Sequence, residues 1–128
     1  MNKITVGTDL VDIERLRHAL ENRSPELGER LFTAQEWTYS QSQAKPHASL
    51  AARMAAKEAI RKIFGQWGYD DVNWRETEVA VGENGAPYVV LHGSAAERAK
   101  SCSFALSLAH TDTLAQAFCI AYDNSPND

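Results

Sequence analysis

The stretch from Ala48 to Phe64, containing SLAARMAAKEAIRKIF, constrains the fold more than any other part of the chain. Alanine has the highest intrinsic helix propensity and the stretch holds neither glycine nor proline, so a long helix is expected, with Gly65 as its stop. Ala51, Ala52, Ala55, Ala56 and Ala59 give that helix a low surface, on which another backbone or a ligand can come close.

The segments around it read as a mixed fold. From Ile4 to Val11, the even spacing of Ile4, Val6 and Leu10, interrupted by Gly7, predicts a strand with one face buried. The period then changes. Ile13, Leu16 and Leu20 share a helical face, and Asp12 is placed to cap the first turn. Ser24 and Pro25 open a short segment that ends near Phe32, and Thr33 with Glu36 forms a capping-box pattern before another helix. The polar run Ser40 to Pro46 is its exit and a loop. Glu78 to Val81 and Pro87 to Leu91 make a hairpin around Asn84-Gly85, which supplies easy positive φ. Ser94 to Lys100 suits a short helix, and Phe104 to Leu108 with Leu114 to Tyr122 suits a second hairpin. The fold class is α+β, a mostly antiparallel sheet packed with a long central helix.

A chain of 128 residues with 44% hydrophobic composition is expected to form one domain, here residues 1–123, followed by a loose tail at 124–128. Glu14, Arg15 and Arg17 follow the opening MNKITVGTDL before any long apolar run, which points to a cytosolic protein with neither signal peptide nor membrane span. A net charge of −4 argues against a broad nucleic-acid surface, so any phosphate site must be local. Cys102 and Cys119 lack metal-ligand spacing and read as reduced thiols, although a hairpin could make them neighbours.

Packing the alanine-rich helix on the sheet could bring Asp9, near the end of the first strand, and Glu58 together. Two carboxylates with open positions suit a magnesium ion that keeps waters and takes phosphate oxygens. The competing expectation is that Glu58 makes only an i, i+4 pair with Lys62. Arg53, Lys57 and Arg61 recur every four residues, a stripe that is ordinarily solvated. Short alanines beside these long charged side chains nevertheless leave room for a diphosphate. His110, after the apolar run FALSLA, sits at a strand end where it could meet a phosphate, while Ser107 lacks the surroundings of a nucleophile.

In this order VGTDLVDIER, ARMAAKEAIRKIFG, NGAPYV and SLSLAHT resemble the small bacterial holo-acyl-carrier-protein synthases, over roughly Ile4 to Tyr122. The resemblance implies a single 4′-phosphopantetheinyl transferase domain, assembled as a homotrimer with sites at subunit boundaries. It implies transfer of 4′-phosphopantetheine from coenzyme A to a serine of an apo acyl carrier protein of fatty-acid or polyketide biosynthesis, releasing 3′,5′-ADP. Asp9 and Glu58 would hold Mg2+, and Lys62 would meet the diphosphate. Arg53 and His110 would contact coenzyme A phosphates from the neighbouring subunit, Gly85 and Pro87 would lie against the adenine, and Arg15 would face the carrier protein. Glu58, or a water held by Asp9 and Glu58, would take the serine proton. Ala86, Ala109 and Met54 depart from the residue types common at their positions, and the first two would weaken the grip on coenzyme A. A non-catalytic module that binds coenzyme A or carrier protein is the alternative of the same fold, and a structural trimer with solvated charges is a further one.

Overall fold

The computed structural model describes residues 3–23 and 26–126. Strand β1 (Ile4–Asp12) leads directly into α1 (Ile13–Asn22), and α2 (Leu27–Leu31) and α3 (Ala34–Gln41) precede the long α4 (Pro46–Gln66). A 3₁₀ turn at Trp74–Glu76 opens the hairpin of β2 (Thr77–Val81) and β3 (Pro87–Leu91). The chain then forms α5 (Gly93–Arg98), β4 (Cys102–His110) and β5 (Leu114–Asp123). Two antiparallel sheets result, one ordered β1-β5-β4 and the other β2-β3.

The caps form as their sequence implies. Asp12 Oδ1 accepts from the Arg15 N–H at 2.9 Å. Thr33 and Glu36 complete a reciprocal capping box, worth about 1 kcal/mol for the cap alone. Helix α4 is longer than expected at both ends. Pro46 stands in its first turn, where a missing N–H costs nothing, and the helix runs through Gly65 to a cap at Trp67. The indole of Trp67 packs edge-on to Phe64 and donates to Thr5 Oγ1 at 3.1 Å, so tertiary contacts hold the last turn where glycine alone would fray it. In the hairpin turn only Gly85 adopts positive φ, at 83°; the Asn84 side chain instead accepts from the Ala86 N–H. The opening at Ser24 and Pro25 lies outside the described residues. Asn124 and Ser125, assigned to a loose tail on sequence grounds, hydrogen-bond back to Ser101, Ser103 and Lys3; residues 127–128 lie outside the described residues.

The core lies between α4 and the inner face of the three-stranded sheet, where Ala55, Ala56, Ala59, Ile60 and Ile63 meet Ala117, Cys119 and Ala121. Small side chains on both surfaces bring helix and sheet unusually close. A Cβ added at Gly7 would overlap the carbonyl oxygen of Ala59 and stand 3.2 Å from Ile63. This close approach reverses the expectation for β1. Ile4, Val6 and Leu10 point outward, with Leu10 60% exposed, while Thr5 and Gly7 face the helix. Strand alternation was legible, but which face packs is decided by how little room α4 leaves.

Candidate active site

Asp9 lies on the β1 register opposite Ala117, and Glu58 and Lys62 lie one turn apart on α4. The helix–strand approach at Gly7 brings the three together. Lys62 Nζ donates to Asp9 Oδ1 at 3.0 Å and to the Thr8 carbonyl at 2.9 Å. The expected Glu58–Lys62 pair is therefore replaced by one to Asp9, because β1 offers both a carboxylate and a carbonyl. Glu58 is half-buried, and burial, reinforced by the negative charge of Asp9, raises its pKa above the ordinary carboxylate value; Arg61 and Lys62 oppose the shift. No group of three or more His, Cys, Asp or Glu that could hold a metal occurs among the described residues. Asp9 lies near enough to Glu58 for their charges to interact, and Asp9 already draws one cation in Lys62. That donor set fits a hard divalent ion that keeps most of its waters or takes phosphate oxygens.

The stripe Arg53, Lys57, Arg61 is not solvated. Lys57 is fully buried, and its ammonium donates to Glu36 Oε1 at 2.9 Å and to the Trp74 and Thr77 carbonyls at 2.7 and 2.9 Å. Burial lowers the Lys57 pKa, and Glu36 opposes that shift. The second oxygen of Glu36 accepts from the Val79 N–H at 2.8 Å, and Thr33 Oγ1 extends the network to Glu78 at 2.9 Å. Removing one partner of such a pair leaves an uncompensated buried charge, at about 3–5 kcal/mol. The pair locks α4 in rotation, and with it the next residue, Glu58. Sequence reasoning missed this role of Glu36; the only local sign was its place in the capping box, which explains one of its oxygens. Arg61 stacks over the Trp74 ring, 4.0 Å from its centroid.

Arg53 is 6% exposed, stacked 4.5 Å above the Tyr39 ring centroid, and donates to the carbonyl and hydroxyl of Ser49 at 3.2 and 3.1 Å. Its buried Nε–H finds no acceptor among the described residues. Arg53, Lys45 and His110 line one open cleft with Tyr39 and Ala109. His110 closes β4, exposed, with Nδ1 3.2 Å from the Thr111 carbonyl. Another cleft, bounded by Phe32, Trp37 and Arg75, contains none of the predicted residues. The structure therefore groups Asp9, Glu58 and Lys62 at one place and Arg53 with His110 at another. Gly85 sits in the β2–β3 turn and Pro87 opens β3, while Arg15 is exposed on the first turn of α1. The strands carrying Cys102 and Cys119 do pair, but Cys119 faces Leu106 and Cys102 faces Asp123, so no disulfide joins the two cysteines.

A long alanine-rich helix laid on an antiparallel sheet, with Asp9, Glu58 and Lys62 gathered near their junction, is the framework that this chain shares with a known family. The chain belongs to the 4′-phosphopantetheinyl transferase superfamily, whose family model matches residues 5–121. It is 36% identical over 129 residues to the holo-[acyl-carrier-protein] synthase of a Thermoanaerobacter species, covering 98% of this chain and 92% of the relative. It is 41% identical over 121 residues to the synthase of Streptomyces griseus, covering 92% and 97%. A solved complex described as Chronobacterium ammoniagenes ACPS with CoA superposes with a TM-score of 0.82 at 31% identity, over 95% of this chain and 98% of that one.

Proposed function

We propose that this protein transfers 4′-phosphopantetheine from coenzyme A to a serine of an apo acyl carrier protein, giving holo carrier protein and 3′,5′-ADP. The observation that carries the reading is the convergence of Asp9, Glu58 and Lys62 where α4 meets β1 in a chain of this superfamily. The relatives named holo-[acyl-carrier-protein] synthase favour it over a binding-only module.

The serine oxygen forms a bond to the β-phosphorus of coenzyme A as the bond to 3′,5′-ADP breaks, and the serine proton passes to Glu58 or to a water beside it. Glu58 suits that role because burial makes its carboxylate more basic than an exposed one. Lys62 presents positive charge to the diphosphate bridge, where negative charge develops on the departing 5′-phosphate of 3′,5′-ADP. Asp9 and Glu58 would hold Mg2+, which supplies further charge where negative charge develops. Positioning and electrostatics do most of the work in such a displacement.

The assembly we propose is a homotrimer. Its support is the outer face of the β1-β5-β4 sheet, where Ile4, Val6, Leu10, Leu114, Phe118 and Tyr122 are exposed. The separation of Arg53 and His110 from the carboxylate pair supports it too, because a boundary between subunits would bring the two groups to one coenzyme A. Gly85 and Pro87 would meet the adenine and Arg15 the acidic carrier. No helix among the described residues is long and apolar enough to cross a membrane. Cys102 and Cys119 are not joined in a disulfide, which fits a reducing compartment such as the cytosol.

Intact-mass analysis of an apo acyl carrier protein incubated with this protein, coenzyme A and magnesium tests the reading. The expected result is a gain of one phosphopantetheine that a chelator abolishes. Glu58→Gln, which removes a charge with little change in volume, is expected to stop transfer while the circular dichroism spectrum stays native. Wild-type turnover by this variant in saturating magnesium would remove Glu58 from the chemistry.

A further inference from the structure

Asp9 on β1 and Glu58 on α4 are partly buried and near enough for the charge of Asp9 to act on Glu58, and carboxylates so placed need a counterion even before any metal arrives. The structure supplies one. Lys62 follows Glu58 by one helical turn, so its side chain returns to the same junction, where its ammonium reaches Asp9 Oδ1 at 3.0 Å and the Thr8 carbonyl at 2.9 Å. The lysine remains 54% exposed while Asp9 is only 22% exposed. Its flexible stem can therefore leave at little cost, whereas the carboxylate it neutralises cannot follow it into water.

We propose that Lys62 is an exchangeable counterion: its ammonium neutralises Asp9 until a divalent cation takes that oxygen, and the displaced ammonium then becomes free to meet the diphosphate. The inference rests on the proposed magnesium and coenzyme A site and adds an order of events to it. Metal entry competes with Lys62, and metal entry is also what releases Lys62 for coenzyme A. Each ligand then strengthens binding of the other by the same factor, since the coupling is reciprocal.

The test is calorimetric titration of the full chain with magnesium alone, and then of the magnesium-loaded and magnesium-free protein with coenzyme A. Lys62→Met is expected to bind magnesium more tightly than wild type, by roughly two- to fivefold for the loss of a partly exposed ion pair. In the same variant, the gain in coenzyme A affinity caused by magnesium should shrink. A variant that merely disturbed the fold would bind the metal more weakly, so the sign of the change is diagnostic. Arg61→Met serves as the charge control, because Arg61 carries the same charge on the same helix but stacks on Trp74 instead of bonding Asp9. Unchanged or weaker magnesium binding by Lys62→Met, or equal tightening in the two variants, would overturn the exchange. Failure of the underlying site is read separately. If wild type binds no magnesium, or Asp9→Asn binds it as well as wild type, the carboxylate pair is not the metal site and the exchange falls with it.

Discussion

At the scale of single residues, burial changes what a charged or ionisable side chain can do, and neighbouring sequence rarely announces it. Arg53 and Lys57 were expected in a solvated stripe, yet both are buried, because the carbonyls and carboxylate that receive them come from Ser49, Trp74, Thr77 and Glu36. Cys119 gives a testable case. It is fully buried on the inner face of β5, and burial pushes its pKa from 9.0 to about 12. Between those values the unfolded chain has lost the thiol proton while the folded chain keeps it, so the folded state binds more protons and stability falls as pH rises. Denaturant unfolding compared at about pH 8 and about pH 10 should show a larger loss for wild type than for Cys119→Ala. Equal losses would show that the thiol titrates alike in both states.

Between elements, the decisive contact is α4 against β1. Asp9 and the Glu58–Lys62 turn meet only because Gly7 lets the strand approach the Ala59 backbone. Gly7→Ala should therefore cost at least about 2 kcal/mol, at the upper part of the range for overpacked sites, because the atom in its way is a carbonyl that cannot rotate aside. Denaturant midpoints measure the loss. Magnesium affinity should fall as well, since β1 must shift and Asp9 shifts with it. Retained stability would mean that helix and strand can separate without consequence. The alanines of α4 and the Gly7 interruption were both legible in the sequence, whereas the nearness of Asp9 to Glu58 stood there as one of two open expectations. That Lys62 pairs across to Asp9, and that Lys57 and Glu36 lock the helix, depends on side chains from distant segments converging.

For the molecule as a whole, the inner sheet face is occupied by α4, and the outer face carries the apolar residues that strand alternation had assigned to the core. Phe118, 44% exposed, stands in the middle of that face opposite Thr8 on β1 and Ser107 on β4. A charge placed there would have to be buried in the proposed trimer but would remain hydrated in a monomer. Phe118→Glu is expected to convert a trimer to a folded monomer by light scattering and to lose most transfer activity, since the carboxylate pair and the Arg53–His110 cleft would no longer share a boundary. An unchanged mass would place the assembly on another face.

The sequence by itself determined the elements and their chemistry: alanine propensity and the capping box act over a turn or two, strand alternation over a few residues, and the Asp9, Glu58 and Lys62 pattern is a matter of residue type. Only the tertiary structure decided which face of β1 is inside, which basic residues are buried and which carboxylate Lys62 answers. Those outcomes depend on the space left between packed surfaces and on partners far apart in the chain, as with Lys62 and Asp9, whose attraction exists only once α4 lies on β1.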